Sequence, residues 1–391
     1  MVRTGLAALD VLAVDDTFLE EEHRVLRATV RAVVETDIVP HADAWEQARR
    51  IPDALWQSLG ARGLLSLTFP EALGGGGAGV RGAVVLGEEL GRSTYGGVAT
   101  SVTAHSDMSS MHLARAASAE QQVRWLPDVL AGRCITGLGV TEPEASSDLA
   151  RLTVRARRDG DHYVLDGTKT FITHANTAGL FFVVARTGGS GRHGLSLFAV
   201  ERDTPGLSNG RTFHKTGWRA SDTGELVFDS ARVPAENLLG AEGDGFRWMM
   251  AGLDHERIMM AAIATGLGQV ALVHTLAWLR ERPAYGGVLW DKQAVRHRVA
   301  DQAVRLAAAR TMLYQAAARI DAGAESRLLG SMLKAVVPPL VNEIAASCAQ
   351  LSGGTGFVEE GPIERIFRDA RFLAVGGGST EVMLDEVARL L

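Results

Sequence analysis

At Cys134-Ile-Thr-Gly-Leu-Gly-Val140 the pattern of the chain changes from helices to strands. This stretch is short and apolar, and its two glycines would weaken a helix interior. Upstream, from about residue 17 to 133, the spacing is helical. Leu26, Val30, Val33 and Val34 share one face of a first helix that ends near Pro40. Pro52 is placed to open another, continued by Leu55, Trp56 and Leu59, and Ser118 with Gln121 forms a capping box for a helix through Leu130. Downstream come short runs rich in Val, Phe, Leu and Thr: 151–156, 162–167, 169–173, 180–186, 195–200 and 225–228. Gly, Asp and Asn separate them, as in an all-β sandwich or barrel. From about 242 the spacing is helical again, with long segments at 245–281, 291–321 and 325–350. The expected layout is α+β: an N-terminal helical domain over 1–133, a β domain over 134–241 and a helical bundle over 242–391.

Length and composition agree with a large folded core. The chain has 391 residues, 46% hydrophobic and 22% charged, with a formal net charge of -6. That charge offers no basic footprint, so nucleic acid is not an expected partner. Two cysteines, Cys134 and Cys348, lie far apart without CxxC spacing, which excludes a disulfide scaffold and fits a reducing cytoplasm. The opening residues lack the pattern of a secretory leader. Met259 to Leu279 has no Asp, Glu, Lys or Arg and is long enough to span a bilayer, but its Thr, Gly, Gln and His residues favour a buried bundle helix over a membrane span.

Two Gly-x-Gly-x-x-Gly matches, at 74–79 and 189–194, are loops in this reading. A dinucleotide fingerprint must link a strand to a helix within a βαβ unit. The second match joins two strands as a hairpin, and the first follows a poor strand. Among eleven histidines there is no HExxH, and His105 and His112 have no evident third ligand, so no metal site is expected.

Three segments carry a resemblance. Val140-Thr-Glu-Pro-Glu-Ala-Ser-Ser-Asp148 resembles the first signature of the acyl-CoA dehydrogenase family, which has Gly-Ser where this chain has Ser146-Ser147. Gln350-Leu-Ser-Gly-Gly-Thr-Gly-Phe-Val-Glu-Glu360, with Arg365 and Asp369, resembles the second. Arg282-Pro-Ala-Tyr285-Gly286, with Gln293, resembles the family's Arg-x-x-Phe-Gly…Gln element, and Lys215–Thr223 is family-like too. The order and spacing match over nearly the whole chain.

The resemblance implies a flavin adenine dinucleotide (FAD) enzyme that desaturates acyl thioesters between the α and β carbons. It places Leu138, Val140, Thr141 and Ser147 near the flavin ring and pyrophosphate, and Phe171, Ile172 and Thr173 over the ring, with the Thr173 hydroxyl near N5. Donors there stabilise the reduced, anionic ring. Arg282, Tyr285, Gln293, Gln350, Gly353 and Gly354 would reach the FAD of a neighbouring subunit in a homodimer or homotetramer. Ser379 and Glu381 stand at the family's Thr and Gln positions at a helix start, a natural phosphate or ribose site. Electron-transfer flavoprotein is the implied acceptor, and acyl-CoA or acyl-carrier-protein thioesters the implied substrates. Oxidase, flavin monooxygenase or silent acyl-CoA-binding roles on the same scaffold stay open.

The catalytic base departs from the commoner pattern. Many members carry a Glu where this chain has Gly377, within Val375-Gly-Gly-Gly-Ser-Thr380. The isovaleryl-CoA and long-chain enzymes place it instead on the first helix of the C-terminal bundle, and the matching segment, Gly252-Leu-Asp-His-Glu-Arg257, puts Glu256 there. Met249, Leu253, Glu256, Met260, Ile263 and Leu267 form one helical stripe. A carboxylate on an apolar stripe costs desolvation, which also raises its pKa toward the working range of a base. A structural ion pair with an Arg from a packed helix is the alternative. Asp254, Arg257 and Ser147 match substrate-contacting positions, although charges on a solvent face would also explain Asp254 and Arg257. Gly377 would keep one role, offering its N–H to the thioester carbonyl. Positions 256 and 377 are expected to face the same α-carbon, with Gly376 and Gly377 leaving room beside it.

Overall fold

The computed structural model describes residues 18–359 and 361–391. The first seven helices are α1 (Glu21–Val33), α2 (Ala42–Ala48), α3 (Asp53–Ala61), α4 (Gly79–Arg92), α5 (Gly96–Thr103), α6 (Met111–Ala116) and α7 (Ala119–Leu130). α1 runs on into a π-turn over Val34–Ile38, just short of Pro40. Pro52 sits one residue earlier than expected, as the extended N-cap of α3. The capping box of α7 is complete: Gln121 N donates to Ser118 Oγ at 3.3 Å, and Ser118 N donates to Gln121 Oε1 at 2.8 Å.

Eight strands follow, β1 (Thr136–Gly139), β2 (Arg155–Asp159), β3 (His162–Thr173), β4 (Leu180–Arg186), β5 (Leu195–Glu201), β6 (Leu207–Thr212), β7 (Thr223–Pro234) and β8 (Leu238–Leu239). They form one sheet in the order β6-β7-β3-β2-β4-β5-β8, with β1 parallel to β4. The glycine-rich 189–194 segment joins β4 and β5 as an antiparallel hairpin, in register from Leu180↔Glu201 to Arg186↔Leu195. Alternation along β4 divides two cores. Phe181, Val183 and Ala185 pack with Tyr163, Leu165, Phe228 and Val233 inside the β domain. Leu180, Phe182 and Val184 pack outward against Trp125, Leu126 and Met249 of the helices. Burial on both faces accounts for the unbroken apolar run Leu180–Ala185.

The chain closes with α8 (Gly245–Glu281), the short β9 (Pro283–Ala284) and β10 (Gly287–Val288) pair, α9 (Gln293–Asp321), α10 (Ser326–Ser352), α11 (Pro362–Leu373) and α12 (Thr380–Leu390). α8 packs against α4, α9, α10 and α11. Both α8 and α10 are long and apolar enough to cross a membrane, but 89% of the apolar window of α8 is buried inside the protein, which explains its composition. α4 crosses α8 at glycines. A Cβ on Gly91 would lie 2.4 Å from the Ile263 carbonyl oxygen, and one on Gly266 only 2.1 Å from that of Glu88. Neither position admits a side chain at this spacing.

At that crossing Glu88 accepts hydrogen bonds from Arg310 Nε (2.6 Å) and Nη2 (2.8 Å), Tyr314 Oη (2.7 Å) and Gln269 Nε2 (2.8 Å). Burial opposes the charge on Glu88, but the Arg310 guanidinium overrides it and holds the carboxyl at about 2. Because this is below the unfolded value of 4.5, the pair's contribution is present above that value and is lost as pH falls toward 2. Glu88→Ala takes the carboxylate from a buried arginine and should cost about 3–5 kcal/mol of stability in urea denaturation. Ser118→Ala, which removes only a cap, should cost about 1 kcal/mol.

Candidate active site

The end of β3 and the loop after β1 lie side by side. Thr170 N donates to the Thr141 carbonyl at 2.9 Å, and Lys169 Nζ donates to the Val140 carbonyl at 2.8 Å and to Glu142 Oε1 at 2.8 Å. Glu142 also accepts from Thr153 N (2.6 Å), Thr153 Oγ1 (2.8 Å) and Val154 N (3.0 Å). Lys169 is fully buried, and burial draws its ammonium down to about 8. Burial pushes Glu142 up, but Lys169 and the two backbone N–H groups outweigh it and leave the carboxyl below its usual range. This clamp holds Leu138, Val140 and Thr141 beside Phe171–Thr173. Among the described residues the hydroxyls of Thr141, Ser147 and Thr173 make no hydrogen bond, so the edge keeps donors available for a ligand. Phe171 is exposed, has φ +56 and stacks on Phe213 with ring centroids 4.7 Å apart. Ile172, by contrast, is buried in the β-domain core, which leaves its backbone as the part able to meet a cofactor.

Arg282, Tyr285, Gln293 and Gln350 are exposed on the C-terminal helices and their connections. Arg282 lies over the Trp278 ring at 5.2 Å, and Tyr285 is 96% exposed. A Cβ on Gly353 or Gly354 would meet open space. No hydrogen bond or ring contact among the described residues joins this group to Phe171–Thr173 within one chain. Ser379 is the N-cap of α12, its Oγ accepting from Val382 N at 3.4 Å, and Glu381 is exposed in the first turn.

Glu256 lies on α8 in line with the buried Met249, Met260, Ile263 and Leu267. The residue is only partly exposed. Burial raises its pKa, and Lys334 and Arg257 partly oppose the rise. Among the described residues no cation comes within ion-pair distance of its carboxylate, and none donates a hydrogen bond to it. Arg257, the next residue on the same helix, is engaged elsewhere: its Nη1 reaches Asp254 Oδ1 at 2.9 Å and Ser331 Oγ at 3.3 Å. Arg257 is 4% exposed, so a solvent face does not explain it.

Gly377 faces Glu256 directly. A Cβ there would stand 2.9 Å from Glu256 Oε1 and 3.3 Å from Cδ, and the backbone has φ +68. The free space expected from missing side chains is therefore filled: Glu256 takes it at Gly377, and the Phe372 ring, 2.8 Å from a Cβ on Gly376, takes it there. Among the described residues the Gly377 N–H donates to no acceptor. Sequence reasoning missed Lys334, a fully buried side chain on α10 whose Nζ donates to the Gly378 carbonyl at 2.9 Å. The signal was a lone charge between Leu328 and Val341.

The architecture is a helical domain, a sheet domain with a hydroxyl-lined edge, and a helical bundle carrying a carboxylate unpaired among the described residues. Comparison with known proteins assigns this arrangement to flavin-dependent acyl-CoA dehydrogenases. Family models agree, with the acyl-CoA dehydrogenase N-terminal domain matching residues 20–133, the middle domain 137–231 and the C-terminal domain 243–391. The chain is 34% identical to the long-chain specific acyl-CoA dehydrogenase, mitochondrial, of Sus scrofa, over 94% of this chain and 86% of that protein. It is similar in structure to an acyl-CoA dehydrogenase from Geobacillus kaustophilus (TM-score 0.91, 36% identity, 96% of this chain and 99% of that one). It is also similar to a glutaryl-CoA dehydrogenase from Mycobacterium smegmatis solved with FADH2 (TM-score 0.92, 29% identity, 98% and 97%). The chain belongs to the acyl-CoA dehydrogenase family, whose cofactor is FAD.

Lys169→Met should release the 140–148 loop while leaving the sheet folded. The expected result is faster FAD loss on dialysis than from the parent, read by the visible spectrum.

Proposed function

We propose that the chain converts an acyl-CoA to its trans-2-enoyl-CoA, with Glu256 as the base. The observation that supports this best is a carboxylate on α8 with no ion-pair partner among the described residues, set against the Gly377 backbone. Glu256 takes the α-proton, and the electron pair of that C–H bond enters the new Cα=Cβ bond as the β-hydrogen leaves with its electron pair. FAD, when bound, supplies the acceptor for that hydride. The Gly377 N–H holds the thioester carbonyl oxygen, which acidifies the α-carbon as negative charge develops. Thr141, Ser147 and Thr173 would hold FAD from one chain. Arg282, Tyr285, Gln293, Gln350, Gly353 and Gly354 would reach it from a second, which makes a dimer the smallest complete unit, within a dimer or tetramer. Asp254 and Arg257, as an ion pair, would shape the substrate passage beside Ser147. Electron-transfer flavoprotein is the proposed acceptor, and the cytoplasm the proposed compartment.

Glu256→Gln keeps shape and removes the proton acceptor. Anaerobic flavin reduction by the best thioester should slow by about 10²–10⁴-fold with substrate affinity retained. A parental rate would remove Glu256 from the chemistry. Because burial raises the Glu256 pKa, the parent's reduction rate should fall with acid at a midpoint above 4.5.

Moving the base to position 377 has a steric condition that sequence alone did not disclose. In Glu256→Gln/Gly377→Glu the new side chain collides with residue 256, at a backbone conformation that costs an L-residue about 1–2 kcal/mol. Glu256→Ala/Gly377→Glu removes the collision and should reduce flavin faster than either Glu256→Ala or the Gln double variant, as stopped-flow would show.

A further inference from the structure

α10 buries one charge in an otherwise apolar stretch, and that charge touches the segment opposite Glu256. Lys334 is fully buried, with Nζ 2.9 Å from the Gly378 carbonyl oxygen. A buried ammonium is costly unless it is paired and hydrogen-bonded, so its place asks for a reason. The segment it holds cannot hold itself. Val375 N and Gly376 N close back onto the Phe372 carbonyl at 2.9 Å each, but Gly377 and Gly378 have no side chains and sit at φ +68 and +108. Such a segment has many conformations open to it when it is not anchored.

We propose that Lys334 is a positioning residue of the dehydrogenation: by fixing the Gly378 carbonyl it aims the neighbouring Gly377 N–H at the thioester oxygen, and its charge stands behind Glu256. The second half rests on the reading of Glu256 as the base. The charges felt by Glu256 are Arg257 on its own helix and Lys334 on α10, whereas the 375–378 segment brings none. Arg257 is tied to Asp254 and also senses Glu386, Glu256 and Arg327, so its charge is shared among several carboxylates. Lys334 pairs with no carboxylate within ion-pair distance among the described residues. Its own pKa, drawn down to about 8 by burial and supported by Glu256, keeps it charged at neutral pH.

Lys334→Met and Lys334→Gln separate the two actions. Methionine removes donor and charge, while glutamine keeps a donor for the Gly378 carbonyl and removes the charge. The first readout is affinity for the enoyl-CoA product, followed by the shift of the flavin spectrum, which needs no base. Lys334→Met should bind product about tenfold more weakly, the worth of one hydrogen bond, and Lys334→Gln should recover most of that loss. The second readout is the pH profile of anaerobic flavin reduction. Both variants should move the acid limb to higher pH, and the Met variant should slow reduction by up to about 10²-fold, as a misplaced contact does. Should the Met variant not fold, the acid limb of the Gln variant decides. Folded, flavin-loaded variants with the parent's product affinity and acid limb would overturn the proposal. If instead Glu256→Gln reduces flavin at the parental rate, the base reading fails, while weaker product binding in Lys334→Met would still uphold the clamp.

Discussion

An ionisable carboxylate kept inside a helix bundle is the constraint on which the rest of this structure depends. Burial raises the proton affinity of Glu256, and among the described residues no cation comes within ion-pair distance to offset that cost. The cost of leaving it unpaired must be met by stability elsewhere on the same helix. The crossing of α8 and α4 supplies it, with glycine contacts that bring the backbones close and a Glu88 carboxylate that accepts from three residues. The two glutamates on neighbouring helices show opposite outcomes of burial. Glu88 is held at about 2 by arginine, whereas for Glu256 burial outweighs the opposing charges of Lys334 and Arg257 and raises it.

What the sequence disclosed follows from the range of the physics involved. Periodicity and capping are local, so the helices, the α7 capping box and the β4–β5 hairpin could be read directly. Glu256 was legible because a charge on an apolar stripe is a local contradiction. Its relation to Gly377, more than a hundred residues away, came only through resemblance. Pairings across the fold left weaker traces. Arg257 looked like a solvent-face or substrate charge because its partner Ser331 belongs to α10, and the burial of the Ile172 side chain in the β-domain core left no trace in its local sequence. Lys334 went unread because a lysine in a long helix is ordinary until its burial is known.

The second signature illustrates the same limit from the other side. Arg365 and Asp369 look like members of a cofactor motif, but the fold uses them as a clasp between its three parts. Arg365 bonds Asp43 and Thr94 at 3.0 Å and lies 3.8 Å from the Tyr95 ring centroid. Asp369 accepts the Trp218 N–H at 2.7 Å, which ties α11 to the β domain. Burial and the nearby Glu46 charge push Asp369 up to about 7, against Arg368, which itself contacts Glu46 at 2.9 Å. A motif read as ligand-binding can therefore owe part of its pattern to holding domains in register.

That register decides which residues can serve as the base. Position 256 comes from α8 and position 377 from the turn before α12, yet the fold sets them within van der Waals reach. Two carboxylates so close could not both ionise, since each would raise the other's pKa until they shared a proton. Sterics add to this, because a Cβ at 377 would stand 2.9 Å from Glu256 Oε1 and make that carboxyl move aside. Glu256 in its present rotamer occupies the space beside the Gly377 backbone, so a side chain at 377 would have to displace it.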